Sequence, residues 1–174
     1  MSRTLKDVAA LEPLRFNAED LRRANAEWGC NCGPTALAAI LGLTLAEVRS
    51  HLGQFETKRY TNPTMMKQAL ASLCVKWFSA SQATFADYGL CRVQWSGPWL
   101  GRGIPIQARY RQTHWVASRW IGRNFEIFDV NALSAGGWIT QETWQQCLVP
   151  WILKHSVPNN DGRWYLTHVW EIER

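Results

Sequence analysis

Trp28-Gly29-Cys30-Asn31-Cys32-Gly33-Pro34-Thr35-Ala36-Leu37-Ala38-Ala39-Ile40-Leu41-Gly42 decides the fold, because it sets a thiol at the mouth of an apolar helix. Pro34, with its fixed φ, suits a first helical turn, where a missing N–H costs no hydrogen bond. Thr35 to Leu41 then reads as a short helix, and Gly42 in the C′ position stops it. A helix this apolar is a buried one. A cysteine at its N-terminal tip meets unpaired N–H groups and the positive end of the helix dipole, and both favour thiolate over thiol. The same N–H groups can hold a developing oxyanion. An arbitrary cysteine beside a helix start is more often a packed thiol, so the choice rests on what lies downstream.

Thr113-His114-Trp115-Val116-Ala117-Ser118-Arg119-Trp120-Ile121-Gly122-Arg123-Asn124-Phe125-Glu126-Ile127-Phe128-Asp129-Val130-Asn131 reads as two β-rich runs around a two-residue Gly-Arg loop. That loop sets Trp120 opposite Phe125. Continued down the ladder, it sets His114 opposite Asn131, with Asp129 two residues away on the same face. An imidazole thus gains a carboxylate and a carboxamide within reach. A slip of one residue would send Asp129 to the other face.

Cys32-Gly33-Pro34-Thr35-Ala36-Leu37-Ala38, then His114-Trp115-Val116, then Phe128-Asp129-Val130-Asn131 resembles the papain-like cysteine peptidase superfamily. The nearest likeness is to its bacterial branch of double-glycine leader peptidase domains, effector proteases and glutamine deamidases. The likeness spans roughly residues 25–132, in that superfamily's order of Cys, His, then Asp or Asn. It implies a nucleophile at Cys32, a general base at His114 and an orienting group at Asp129. Many relatives carry a Gln about six residues before the Cys as an oxyanion donor, and here that position is Ala26. Asn25, Asn31 and Asn131 are the nearby carboxamides that can serve as oxyanion or auxiliary groups. Without them the oxyanion hole rests on backbone N–H groups alone.

The 174 residues make one domain's worth of chain, and 47% hydrophobic content is enough for a core, so residues 1–174 are expected to form a single domain. Most of the 11 Trp should be packing. The net charge of +5 allows an acidic partner, but Lys and Arg are scattered, with Arg22-Arg23 and Lys58-Arg59 the only adjacent pairs, so nucleic acid is not the expected ligand. Five cysteines without disulfide spacing favour a reducing compartment, and Cys30 with Cys32 is too close for a zinc knuckle, so no metal is expected. No Gly-rich phosphate loop calls for a nucleotide cofactor. The N-terminus lacks an apolar h-region and no span is long enough for a membrane helix. A cytoplasmic chain is expected, with signal-independent secretion or injection left open.

A leading arm over 1–16 precedes a helix capped at Asn17 and running to about Ala26, which brings Asn25 near the cysteine loop. Thr44-Leu45-Ala46-Glu47 is a capping box for a helix to Gly53, with His51 as a cap on its last carbonyls. Residues 54–62 read as a polar loop, and Asn62-Pro63 opens a helix to Leu73. Strands are expected at Val75–Ser79, Arg92–Trp95, Ile104–Tyr110, the hairpin, and Trp164–Ile172. The loop 95–103 is a candidate cleft wall or a mere cover for the sheet. Ser134-Ala135-Gly136-Gly137 reads as a flexible connector, and a helix from Gln141 should end near Pro150. His155 is expected to be structural, and His168 is the fallback base.

The expected class is α+β: N-terminal helices, the nucleophile helix packed on a C-terminal twisted antiparallel sheet, and by resemblance a papain-like architecture. The expected activity is that of a cysteine peptidase on a protein or peptide. Glutamine deamidation or acyl transfer by the same triad is the close alternative, and a non-catalytic papain-like binding module is the rival from another class.

Overall fold

Capping decides where the helices begin in this computed structural model, which describes residues 13–174. The expected arm lies largely outside the described residues, though Phe16 is buried and Leu14 packs on the core. Asn17 accepts the N–H groups of Glu19 and Asp20 while Asp20 accepts the Asn17 N–H, and helix α1 runs Ala18–Trp28 until Gly29 turns it at φ 80°. Helix α2, Cys32–Leu41, begins at the cysteine itself because Asn31 is its N-cap, the side-chain oxygen accepting the Gly33 N–H. Every residue from Gly33 to Ile40 is buried, and Gly42 at φ 65° ends the helix as expected.

Helix α3 spans only Leu45–Arg49, and Leu52 is buried from the turn that follows. His51 does not cap carbonyls with its ring; Nδ1 pairs with the Ser72 hydroxyl at 2.7 Å. The stretch expected as a polar loop holds a one-turn helix, α4, Phe55–Lys58, because Phe55 is a buried anchor packed edge-on against Trp28. Asn62 caps α5, Pro63–Ser72. Met65 and Met66 are core residues.

Six strands form one antiparallel sheet in the order β1 (Trp77–Ser79), β6 (Trp164–Ile172), β2 (Tyr88–Trp95), β3 (Thr113–Ile121), β4 (Asn124–Phe128), β5 (Trp138–Thr140). The hairpin has the expected register, Trp120 opposite Phe125, with Gly122 at φ 59° in the turn. Ile104–Tyr110 is not a strand: Pro105 opens a helical turn, α6, Ile106–Arg109, whose Ile106 is exposed. Gly136 and Gly137 close the 3-10 segment Val130–Ala135 in a tight turn at φ 92° and 81°.

The C-terminal helix does not stop at Pro150. It starts as α7, Gln141–Thr143, widens into a π turn over Trp144–Leu148, and continues as α8, Val149–Ser156. The proline falls where the wider turn has already displaced the regular ladder, so its missing N–H is accommodated. Alternation then gives the sheet two cores. Leu90, Trp115, Ala117 and Trp170 pack with α1, α2, α3 and α5 on one face, whereas Cys91, Val93, Trp95 and Val116 pack with Trp144 and α8 on the other. A fully buried Leu or Ile side chain contributes about 1.5–3 kcal/mol, and in α2 Leu37 and Ile40 are such residues, with the alanines between them letting the helix lie close on the sheet. The fold is α+β, helices first and an antiparallel sheet after, and among the described residues no helix is long and apolar enough to cross a membrane.

Candidate active site

Cys32 is the first residue of α2, so its N–H has no acceptor within its own helix. Helix α2 packs against β3, whose second residue is His114. The imidazole is buried and its Nε2 lies 2.9 Å from Asp129 Oδ2. With Nε2 donating to the carboxylate, Nδ1 is left for the Cys32 sulfur, with which the ring shares a hydrogen bond. The backbone amide of Trp115 donates to the same sulfur. The carboxylate, the imidazole and the thiol are therefore coupled in that order.

The hairpin brings Asp129 to His114, but not as a ladder partner. Pairing ends at Ala117 with Phe128, and the chain then leaves the sheet into the 3-10 segment that Asp129 caps. Asn131 is consequently not opposite His114. Its N–H and Nδ2 both donate to Asp129 Oδ1, at 2.9 Å each. The fourth donor is Trp144 Nε1, 2.9 Å from Oδ2. Trp144 is fully buried and stands on the π turn. Behind the imidazole, the Trp95 ring stacks at 6.0 Å and 25°, and Trp144 stacks on Trp95 in turn.

Burial alone would raise the Cys32 thiol, but the charge and hydrogen bond of His114, with the Trp115 amide, outweigh it and hold the thiol below its ordinary value. Burial would likewise lower His114, and the Asp129 and Cys32 charges win, holding the imidazole well above its usual range. Asp129 would rise by burial and is instead lowered by His114, Trp144 and Asn131. All three shifts favour one state: thiolate, imidazolium, carboxylate. Cys30, two residues away, behaves oppositely, its buried thiol pushed up to about 12 by burial and then by Cys32.

A cleft of about 580 Å³ opens at Cys32, lined among others by Asn31, Tyr60, Arg92, Tyr110, Arg111 and Trp115. Loop 95–103 is not this wall. Trp99 folds back, its indole over Gly97 and its Nε1 donating to the Trp95 carbonyl, and α6 with the residues after it forms the wall instead. The far side is the loop after α4, fixed by the Trp115 Nε1 bond to the Thr61 carbonyl. Gly33 is required there: a Cβ would stand 2.2 Å from Thr61 Oγ1.

Of the expected oxyanion amides, Asn31 lines the cleft, with Oδ1 on the Gly33 N–H and Nδ2 donating once, to the Arg59 carbonyl. Asn25 does not line it; its Nδ2 donates to the Cys30 carbonyl at 2.9 Å, because α1 runs past it to Trp28 and leaves it under the loop as a brace. His155 stacks on Trp151, and His168 pairs with Thr167 rather than with the thiol. Among the described residues no group of three His, Cys, Asp or Glu side chains is placed to hold a metal ion, and the described cysteines are free thiols.

Trp144, Trp95 and Arg92 escaped the sequence reading. Trp144 is one of 11 tryptophans, and nothing local distinguishes it; Arg92 is the one charge in the mostly apolar run 88–95, which is a signal. No protein-family model matches this chain, and no curated protein matches it in sequence.

Proposed function

We propose that this chain is a cysteine-dependent amide hydrolase of papain-like architecture, acting as a peptidase. The observation that carries the reading is the buried His114–Asp129 pair, 2.9 Å apart, acting on Cys32 at the tip of a buried helix where a cleft of about 580 Å³ opens. The Cys32 thiolate attacks the amide carbonyl carbon, and the carbonyl electron pair moves onto oxygen. That oxygen meets the Cys32 N–H and the second Nδ2 hydrogen of Asn31. The imidazolium of His114 gives its Nδ1 proton to the departing amine, leaving a thioester. Neutral His114 then takes a proton from water, which attacks the thioester, releases the acid and restores the ion pair. Asp129 holds the ring orientation throughout.

The test is the alkylation of Cys32 by iodoacetamide against pH, read by peptide mass spectrometry, for the unaltered chain and for His114→Ala. Fast alkylation well below the free-thiol pKa of about 8.5, lost in His114→Ala, is the expected result. Incubation with a peptide library should then yield cut peptides that Cys32→Ser does not produce, while the same chemistry on a glutamine side chain would release ammonia and leave the chain whole. A Cys32 that titrates as an ordinary thiol overturns the proposal.

A further inference from the structure

Resting on that reading of the cleft, we infer that Arg92 recognises a carboxylate carried by the substrate close to the amide bond offered to Cys32. Arg92 is 5% exposed, on β2, directly opposite Trp115, and lines the same cleft as Cys32. Its Nη2 donates to Thr113 Oγ1 at 3.1 Å, and its guanidinium stands 5.5 Å from the Tyr110 ring centroid. Its Nε is enclosed and has no hydrogen-bond partner. Among the described residues no carboxylate stands within ion-pair distance of it. Arg119, only partly buried, shows the usual arrangement: Glu126 meets it at 3.0 Å.

A buried guanidinium normally has an anion, because removing that charge from water is costly without one. The groups felt around Arg92 do not provide it. His168 on β6 is neutral or cationic, the Tyr110 phenol is no carboxylate, and the Cys32 thiolate is already matched by the His114 imidazolium. Arg111 adds a second cation to the cleft wall. The position is also built. The β2–β6 register shifts between Arg92 and Val93, and Thr167 Oγ1 donates to the Arg92 carbonyl, so the strand is fixed at the point where it aims the side chain. Thr113, which holds the guanidinium, immediately precedes His114. The planar fork suits a carboxylate, and the ligand class is a peptide bearing either an acidic side chain or a free C-terminal carboxylate.

The experiment uses the full chain and compares the rates at which iodoacetate and iodoacetamide alkylate Cys32, in the unaltered protein, Arg92→Gln and Arg92→Lys. Iodoacetate should be favoured relative to its behaviour with exposed Cys74 and Cys147. The rate ratio should fall roughly tenfold in Arg92→Gln, the scale of one charge-assisted hydrogen bond, and less in Arg92→Lys. In the unaltered chain alone, acetyl-triglycine with a free carboxylate and acetyl-Gly-Glu-Gly-amide are tested as protectors of Cys32 against iodoacetamide, beside acetyl-triglycine amide. Protection by either anionic peptide above the neutral one supports the inference and tells which source of carboxylate fits. Equal protection by all three, or an unchanged ratio in folded Arg92→Gln, overturns it. The two readings fail separately. A slow Cys32 that still prefers iodoacetate through Arg92 removes the thiolate, whereas a fast Cys32 with no preference removes the carboxylate site.

Discussion

Asp129→Asn is the substitution that tests the triad most severely, although it is nearly isosteric. Asp129 accepts four hydrogen bonds, from His114 and Trp144 on one oxygen and from the N–H and Nδ2 of Asn131 on the other. An asparagine can keep one pair of donors only by turning its NH2 toward the other. It also removes the charge that holds His114 high. Breaking a buried charge pair by removing one partner costs about 3–5 kcal/mol, which for a domain of this size lowers Tm by roughly 6–20 °C at 2–4 °C per kcal/mol. The pH dependence follows from the directions. The lowered Asp129 contributes stability that is present above its unfolded pKa of about 3.9 and lost as pH falls through its lower folded value. The raised His114 contributes stability present below about 6.5 and lost as pH rises through its higher folded value. Melting the two proteins from acid to neutral pH should show their difference shrinking below about pH 4, and Cys32 alkylation at pH 6 should slow at least tenfold in the variant. A variant that melts within about 2 °C of the parent, a shift worth 1 kcal/mol or less, and alkylates as fast would refute the four-donor account.

Three further outcomes are expected. Trp144→Phe keeps most of the ring and loses one donor to Asp129, so it should cost about 1.5–3 kcal/mol and slow Cys32 alkylation, as melting and rate assays would show; an unchanged rate would mean that the indole is packing alone. Gly33→Ala puts a methyl where Thr61 Oγ1 stands 2.2 Å away, and should displace the loop after α4 and weaken alkylation; a crystal structure with Thr61 in place would contradict this. The rate of peptide cleavage should be bell-shaped in pH, its acid limb below the ordinary thiol range because Cys32 is lowered and its alkaline limb above the ordinary imidazole range because His114 is raised. A single limb near pH 8.5 would describe an unpaired thiol.

The readings that succeeded from sequence were those fixed by neighbours in the chain. A two-residue loop determines a hairpin register without reference to anything distant, and Asn17, Thr44 and Asn62 cap helices by bonds to residues two or three positions on. Asn31 carries the same capping signal beside its place among the oxyanion candidates, and it starts α2 at Cys32, two residues before the Pro34 that the sequence places in the first turn. Ile104–Tyr110 has strand composition, but a β-prone run needs a partner, and the backbone after Pro105 turns instead. Pro150 is a helix breaker only in a regular helix, and the π turn before it was invisible in the residues. Cys32, His114 and Asp129 lie at recognisable local landmarks. Trp144 owes its place to packing between elements far apart in the chain, which no local pattern encodes, whereas Arg92 shows locally only as a charge in a mostly apolar strand, without the cleft it lines.

The two cores meet at this site, and each holds a different reacting group. Cys32 belongs to the helix-side core, through α2, whereas His114 stacks on Trp95 and is tied through Asp129 to Trp144 on the opposite face of the sheet. The two groups can touch because His114 stands one residue from the start of β3, where the ring can reach past the end of the strand toward the helix tip. Trp115, the next residue, faces the helix-side core and carries the peptide N–H that reaches the sulfur. Adjacent residues of one strand thus present a side chain from one core and a backbone donor beside the other to the same sulfur. Repacking on the aromatic side moves the base relative to a nucleophile that stays fixed, so the damage should appear in Cys32 reactivity before the helix-side core loses its order.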